Sequence, residues 1–246
     1  MQCFQILLYT EKNPVKINKF VKNKFMKFLF KFLLLALPLF FLTSCFDIID
    51  KISLKSDGSG EYHLILNASK SKTRLESVSK METFNGRKIP KKAEIESKIN
   101  EAAKVFRNIS GISNVKTSYD FENYIIKLSC NFKKIENINA GLEQLKTNKI
   151  IGKAIPTQLY SNNISGKTFS RNKINTFKND YDKLNKTDKE IFNNAQYTSV
   201  IQFENAVKSQ TNNTYAISPN KKAVKIDGNI LDFILQKKAI QNTIKF

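Results

Sequence analysis

The sequence predicts an α+β fold: an antiparallel sheet of β-hairpins backed by helices, in the order β-β-α-α-β-β-α and then further strands. Three observations carry that expectation. Apolar residues alternate with period two in two pairs of segments, each pair joined by a short polar turn. Segments with apolar residues at helical spacing lie between and after those pairs. Hydrophobic residues make up 41% of the chain, a share that suits a buried core rather than a disordered polymer.

The first hairpin lies in "CFDIIDKISLKSDGSGEYHLILNA". Ile48, Ile52 and Leu54 alternate on one strand, and Tyr62, Leu64 and Leu66 on the next. Asp57-Gly58-Ser59-Gly60 supplies the positive-φ positions that a tight connection needs. Helical spacing comes next. Leu75, Val78 and Met81 form one stripe; Ile95, Ile99, Ala102, Val105, Phe106 and Ile109 form a second, between a helix-starting Pro90 and a stop at Gly111. Val115, Thr117, Tyr119 and Phe121 then alternate, and Glu122-Asn123 turns into a strand with Tyr124, Ile126, Leu128, Cys130 and Phe132 on one face. "KKIENINAGLEQLKTN" is a third helix, with Ile135, Ile138, Leu142 and Leu145 on one side.

Residues 149–195 carry the weakest pattern. They fit either two short strands or an irregular insertion, then a polar helix in "DKLNKTDKEIFNNA". Tyr197, Ser199, Ile201 and Phe203 alternate after it. "NTYAISP" and "KAVKIDG" form a strand pair around Pro219-Asn220, "NILDFILQ" a short helix or turn, and "AIQNTIKF" a closing or edge strand. These last strands are expected to complete the sheet begun by the first half, in one domain over residues 45–246.

The segment ahead of that domain reads as an export signal. "MKFLFKFLLLALPLFFLTSC" opens with Lys27 and Lys31 and continues as an apolar run from Phe32 to Leu42. As a helix, that run reaches about 16 Å, against a hydrocarbon core of about 30 Å. A positive start, a short apolar run and small residues at the exit mark a secretory signal peptide. Leu42, Thr43 and Ser44 followed by Cys45 resemble the lipobox of bacterial lipoproteins. The resemblance implies that the Cys45 thiol receives a diacylglycerol and that cleavage before it leaves Cys45 as the mature N-terminus. Residues 1–44 are then the signal peptide, with residues 1–25 read as a start-site extension and Met26 as the true start. Acyl chains hold such a protein on a membrane at about 0.8 kcal/mol per buried methylene.

The chain of 246 residues carries a net charge of +20. Seven lysines and one Glu precede Cys45, so the 202 residues from Cys45 onward keep about +14. The lysines are spread rather than clustered, and an exported chain meets little nucleic acid. Attraction to an anionic membrane is the better use of this charge, so no nucleic-acid partner is expected. Cys45 is claimed by the lipid, which leaves Cys130 without a disulfide partner; its place in the alternation makes it a small buried residue. "SGKT" at Ser165–Thr168 ends like a phosphate-binding loop, but Ser161 stands where that loop needs glycine, so an ordinary turn is expected. His63, the one histidine, falls on the polar face of its strand beside Glu61. Asp47, Asp50 and Asp57 are explained by local needs. No metal, cofactor, triad or acid–base pair is visible, so an enzyme is not expected.

The early "DGSG" hairpin and the tail "QFENAV", "NTYAISPNKKAV" and "ILDFIL" resemble the LppM-like group of bacterial lipoproteins. That resemblance implies an α+β envelope domain with a lipid or glycolipid ligand. Glu204 stands where the group has proline after Phe203, and the C-terminal transmembrane helix of some members has no counterpart in this sequence. The function expected from the sequence is therefore a lipid-anchored, non-enzymatic binding module of the cell envelope, on the outer membrane and facing the periplasm. Its ligand surface would be the sheet face, or a groove between sheet and helices able to take an acyl chain. The alternatives are a lipoprotein that docks on an envelope protein complex through its basic face, and a hydrolase with a site assembled from scattered carboxylates.

Overall fold

The computed structural model describes residues 46–246 apart from 85, 154 and 175–176, all of them within one compact unit. The expected signal peptide, the expected start at Met26 and the lipobox-like Leu42–Cys45 lie outside the described residues.

The first hairpin forms as its pattern demands. β1 (Asp47–Leu54) pairs antiparallel with β2 (Gly60–Asn67), with Asp47 opposite Asn67 and Leu54 opposite Gly60. Asp57 fastens the turn by accepting from the amide and hydroxyl of Ser59 at 2.9 and 2.7 Å, and Gly58 takes φ +83°. After β2 the chain enters α1 (Lys72–Ser79), which has no buried residue. A two-residue ribbon comes after it, β3 (Thr83–Phe84) against β4 (Arg87–Lys88). The helical stripe therefore stops short of Met81, which is 49% exposed: no element packs over it to extend the helix. α2 (Lys92–Arg107) buries Ala103, Val105 and Phe106. β5 (Ile112–Asp120) and β6 (Ile125–Phe132) form the second hairpin, whose turn is tied by the Asp120 carboxylate accepting from the Glu122 and Asn123 amides. Tyr124 takes φ +55° in that turn and so leaves the strand it was expected to open. α3 (Glu136–Thr147) packs on α2, close enough that a methyl group on Gly141 would meet the Phe106 ring at 2.8 Å.

Residues 149–195 hold the two short strands, β7 (Tyr160–Asn163) and β8 (Thr168–Arg171), paired as a hairpin. Of the polar helix expected over 182–195 only the short α5 (Lys186–Glu190) forms, and another short helix, α4 (Phe177–Asp182), comes just before that stretch. The tail gives β9 (Gln196–Phe203), β10 (Ser209–Gln210), β11 (Ala216–Ile217), β12 (Ala223–Asn229), α6 (Ile230–Ile234) and β13 (Asn242–Lys245).

The α+β class is as the sequence predicts, with mostly antiparallel pairing. Two features of the topology differ from expectation. First, the strands divide between two larger sheets. One runs β11-β12-β9-β1-β2-β6-β5 and the other β10-β13-β8-β7, so only part of the tail completes the first sheet. Second, the central pair β1–β9 is parallel, with Asp50 opposite Ser199 and Ile52 opposite Ile201. A parallel pair joins strands far apart in sequence, and no local hairpin signal announces it.

The core lies on one face of the seven-stranded sheet. Ile52, Leu54, Tyr62, Cys130, Phe132, Ile201, Phe203, Val224 and Ile226 meet Tyr160, Phe169, Ile244 and Phe246 from the second sheet and its end, and Ile135 and Ile138 at the start of α3. Phe203 stacks on Phe246 with ring centroids 4.6 Å apart. Among the described residues no helix is long and apolar enough to cross a membrane.

Candidate functional site

One polar cluster sits inside this core. Asp50 shares strand parity with Ile52 and Leu54, and Arg171 shares it with Phe169, so both charges point between the sheets. They meet there: Arg171 Nη1 donates to Asp50 Oδ2 at 2.9 Å, with the two side chains 3% and 5% exposed. The same carboxylate oxygen accepts from Tyr197 at 2.8 Å and from Tyr160 at 3.2 Å. Arg171 Nη2 donates to the Tyr197 hydroxyl at 2.9 Å, and its guanidinium lies 4.4 Å from the centre of the Tyr160 ring. The β1, β7, β8 and β9 strands each contribute one member, so the cluster bolts the second sheet onto the first.

The surroundings favour a charged Arg171 and protonated tyrosine hydroxyls. Burial works against charge on Arg171, but Asp50 and the oxygens of Tyr160, Tyr197 and Tyr215 outweigh it and hold the guanidinium protonated. Burial first, and the Asp50 charge with it, push the hydroxyls of Tyr62, Tyr160, Tyr197 and Tyr215 above the ordinary tyrosine range, against the pull of Arg171. The charged pair and the tyrosine hydroxyls that donate to it join residues of both sheets in one hydrogen-bonded cluster. Asp50 Oδ1, Arg171 Nε and Ser199 Oγ are buried without a hydrogen-bond partner. The local needs expected of Asp50 do not explain it, because its partner Arg171 lies 121 residues away.

The interior offers no open acyl groove at this point: Tyr160, Phe169, Ile52, Ile201 and Ile244 are all but fully buried and fill the space between the sheets. A shallow depression of about 460 Å³ lies instead at the far end of β1, lined by Gly58, Lys134, Glu136, Asn162, Asn163 and Ile164. The Asn162 amide donates to Glu136 at 2.8 Å, which closes one wall.

The chain is similar to a solved mycobacterial domain. That domain is the folded part of the LppM protein of Mycobacterium tuberculosis, determined by NMR, at 11% identity and a TM-score of 0.38 over 81% of this chain and 87% of that one. A superposition of that quality carries no functional conclusion. No protein-family model and no curated protein matches the chain.

The remaining residues singled out by sequence fall into place individually. Cys130 is 2% exposed, and burial pushes its thiol up to about 12. His63 lies on the exposed face of the first sheet, 3.4 Å from Glu61. Ser165–Lys167 lie in the β7–β8 turn and Thr168 opens β8; Asn163 Oδ1 accepts from the Gly166 amide at 2.8 Å. Asp47 meets Lys70 at 3.1 Å. Among the described residues, no three His, Cys, Asp or Glu side chains gather as a metal site. Sequence reading missed Arg171; its parity with Phe169 was the available signal, hidden because a four-residue strand gives only two inward positions.

Proposed function

We propose that this protein is an exported bacterial lipoprotein, held on a membrane through Cys45, whose folded part is a non-enzymatic binding module of the envelope. The observation that supports the reading is how closely the lipobox-like string precedes the first strand of the fold. A short apolar run ends in Leu-Thr-Ser-Cys, and the very next residue, Phe46, accepts a hydrogen bond from the Gln196 amide of β9 at 2.9 Å. A chain that starts at Cys45 would keep the whole described core, from Ile52 to Phe246. The proposed destination is the outer membrane, with the domain facing the periplasm.

The proposed ligand class is a lipid or glycolipid. With the inter-sheet space filled, the surface left for it is the outer face of the seven-stranded sheet, where Ile49, Ile65 and Val200 lie half-buried among Lys51, Lys127 and Lys225. Intact mass of the protein from native membranes tests the anchoring. A mass beginning at Cys45 with added diacylglycerol or triacyl chains, lost in Cys45→Ala, is the expected result; an unmodified mass that retains residues 26–44 refutes it. Lipid extraction of the same preparation tests the ligand, and a clean protein with no stoichiometric lipid beyond the anchor refutes that part.

A further inference from the structure

The start of β1 fixes which part of the domain lies nearest to Cys45. Each residue of extended chain spans at most about 3.6 Å, and Phe46 is already tied to the sheet, so no linker separates an acylated Cys45 from the fold. The strand register names the surrounding rim. β2 ends here, with Asn67 opposite Asp47; β9 begins here at Gln196; β12 ends here at Asn229.

From Asn67 the chain runs directly into residues 68–84 along this rim, and residues 86–92 lead from the β3–β4 ribbon into α2. The Ala68 amide donates to the Tyr124 carbonyl in the β5–β6 turn at 3.0 Å, and Lys70 reaches Asp47 at 3.1 Å. Arg87 of the β3–β4 ribbon is held by Asp188 of α5 at 2.6 Å, just upstream of β9. This 25-residue segment carries eight Lys and Arg against two Glu, a net +6 of the roughly +14 found after Cys45. Its apolar residues are poorly covered. α1 buries nothing, Met81 is 49% exposed, and Leu66 at the end of β2 is 40% exposed.

Position and composition therefore coincide. Attraction between a basic side chain and an anionic leaflet fades within a Debye length of about 8–10 Å, so only charges close to the tether can use it. The most basic stretch of the domain is also the one that the register sets beside the tether, and it exposes two large apolar side chains suited to the headgroup boundary.

We propose that the rim formed by residues 68–92, with Leu66 and Met81, is a docking surface for an anionic phospholipid leaflet, which holds the tethered domain against the bilayer. This docking rests on the proposed anchoring at Cys45 and adds the surface and the lipid chemistry that it meets.

The test uses the lipidated protein from native membranes, its mass verified, reconstituted into vesicles of phosphatidylcholine alone or mixed with phosphatidylglycerol. Met81→Cys carries an environment-sensitive fluorophore, and Lys55→Cys, just past the opposite end of β1, carries the control. Cys130 is buried and Cys45 is capped by the lipid, so each label reports one position. The expected result is shielding from an aqueous quencher at position 81 only, only with phosphatidylglycerol, and reversed by high salt. Arg74→Glu with Lys80→Glu should lower the docked-to-undocked ratio by about fivefold or more for each residue replaced. Equal quenching at 81 and 55 in anionic vesicles, with the lipid mass present, overturns the docking surface and leaves the anchoring intact. Shielding of the same size without phosphatidylglycerol overturns the anionic partner. An unmodified mass overturns the anchoring, and the docking inference with it.

Discussion

Replacing Asp50 by Ala removes the acceptor on which Arg171, Tyr160 and Tyr197 converge. The guanidinium is then left charged in a site where its side chain is 3% exposed. Breaking a buried pair by removing one partner costs about 3–5 kcal/mol, because the other charge stays desolvated. For a domain of this size each kcal/mol moves the melting temperature by about 2–4 °C, so Asp50→Ala should lower it by about 6–20 °C. The cost lies in the orphaned charge rather than in the lost attraction. Asp50→Leu combined with Arg171→Met should therefore recover at least half of it, since apolar replacement of a buried pair is often neutral or stabilising. Urea unfolding of wild type, the two single variants and the double variant measures the cycle. An Asp50→Ala variant within about 1 kcal/mol of wild type would refute the reasoning. So would a double variant as unstable as the single ones.

Ser199 buries a hydroxyl with no partner, so Ser199→Ala should be neutral or stabilise by about 1 kcal/mol in the same urea assay. Four tyrosines, Tyr62, Tyr160 and Tyr215 buried and Tyr197 half-buried, have hydroxyl pKa values above those of the unfolded chain, so the unfolded state loses protons first as pH rises. Stability should hold below about pH 10 and fall above it by up to about 1.4 kcal/mol per pH unit for each tyrosine, with ionisation absorbance rising in step with unfolding. The Cys130 thiol, raised to about 12 by burial, should be inert to an aromatic disulfide reagent in the native protein and react promptly in denaturant. Gly60→Ala would set a methyl carbon 2.0 Å from the Ser53 carbonyl oxygen and 2.7 Å from the Phe132 ring, and should destabilise by roughly 3 kcal/mol in thermal unfolding.

Local chemistry was legible in this sequence wherever neighbours in the chain are neighbours in space. The two hairpins, the α2 and α3 stripes and the buried side of Cys130 all derive from periodicity and turn residues within a few positions of each other. The proposed lipobox around Cys45 is local in the same sense, since its resemblance rests on a linear string of four residues. The weakly patterned 149–195 stretch shows the opposite case. Tyr160, Phe169 and Arg171 hold central places in the core, yet strands of four residues are too short to display a period.

The sequence by itself determined the α+β class, the order of the strong elements and the expectation of a lipid-anchored chain. Only the tertiary structure decided that the strands split into two sheets, that β1 and β9 run parallel, and that Asp50 and Arg171 meet between the sheets. It also set Ala68, Lys70 and Arg87 of the basic segment at the end of the sheet where β1 begins. The physical reason is that these facts depend on contacts between residues more than a hundred positions apart, or on which end of a strand a loop leaves. Such contacts are chosen by the joint burial of whole faces, and no short window of residues encodes them.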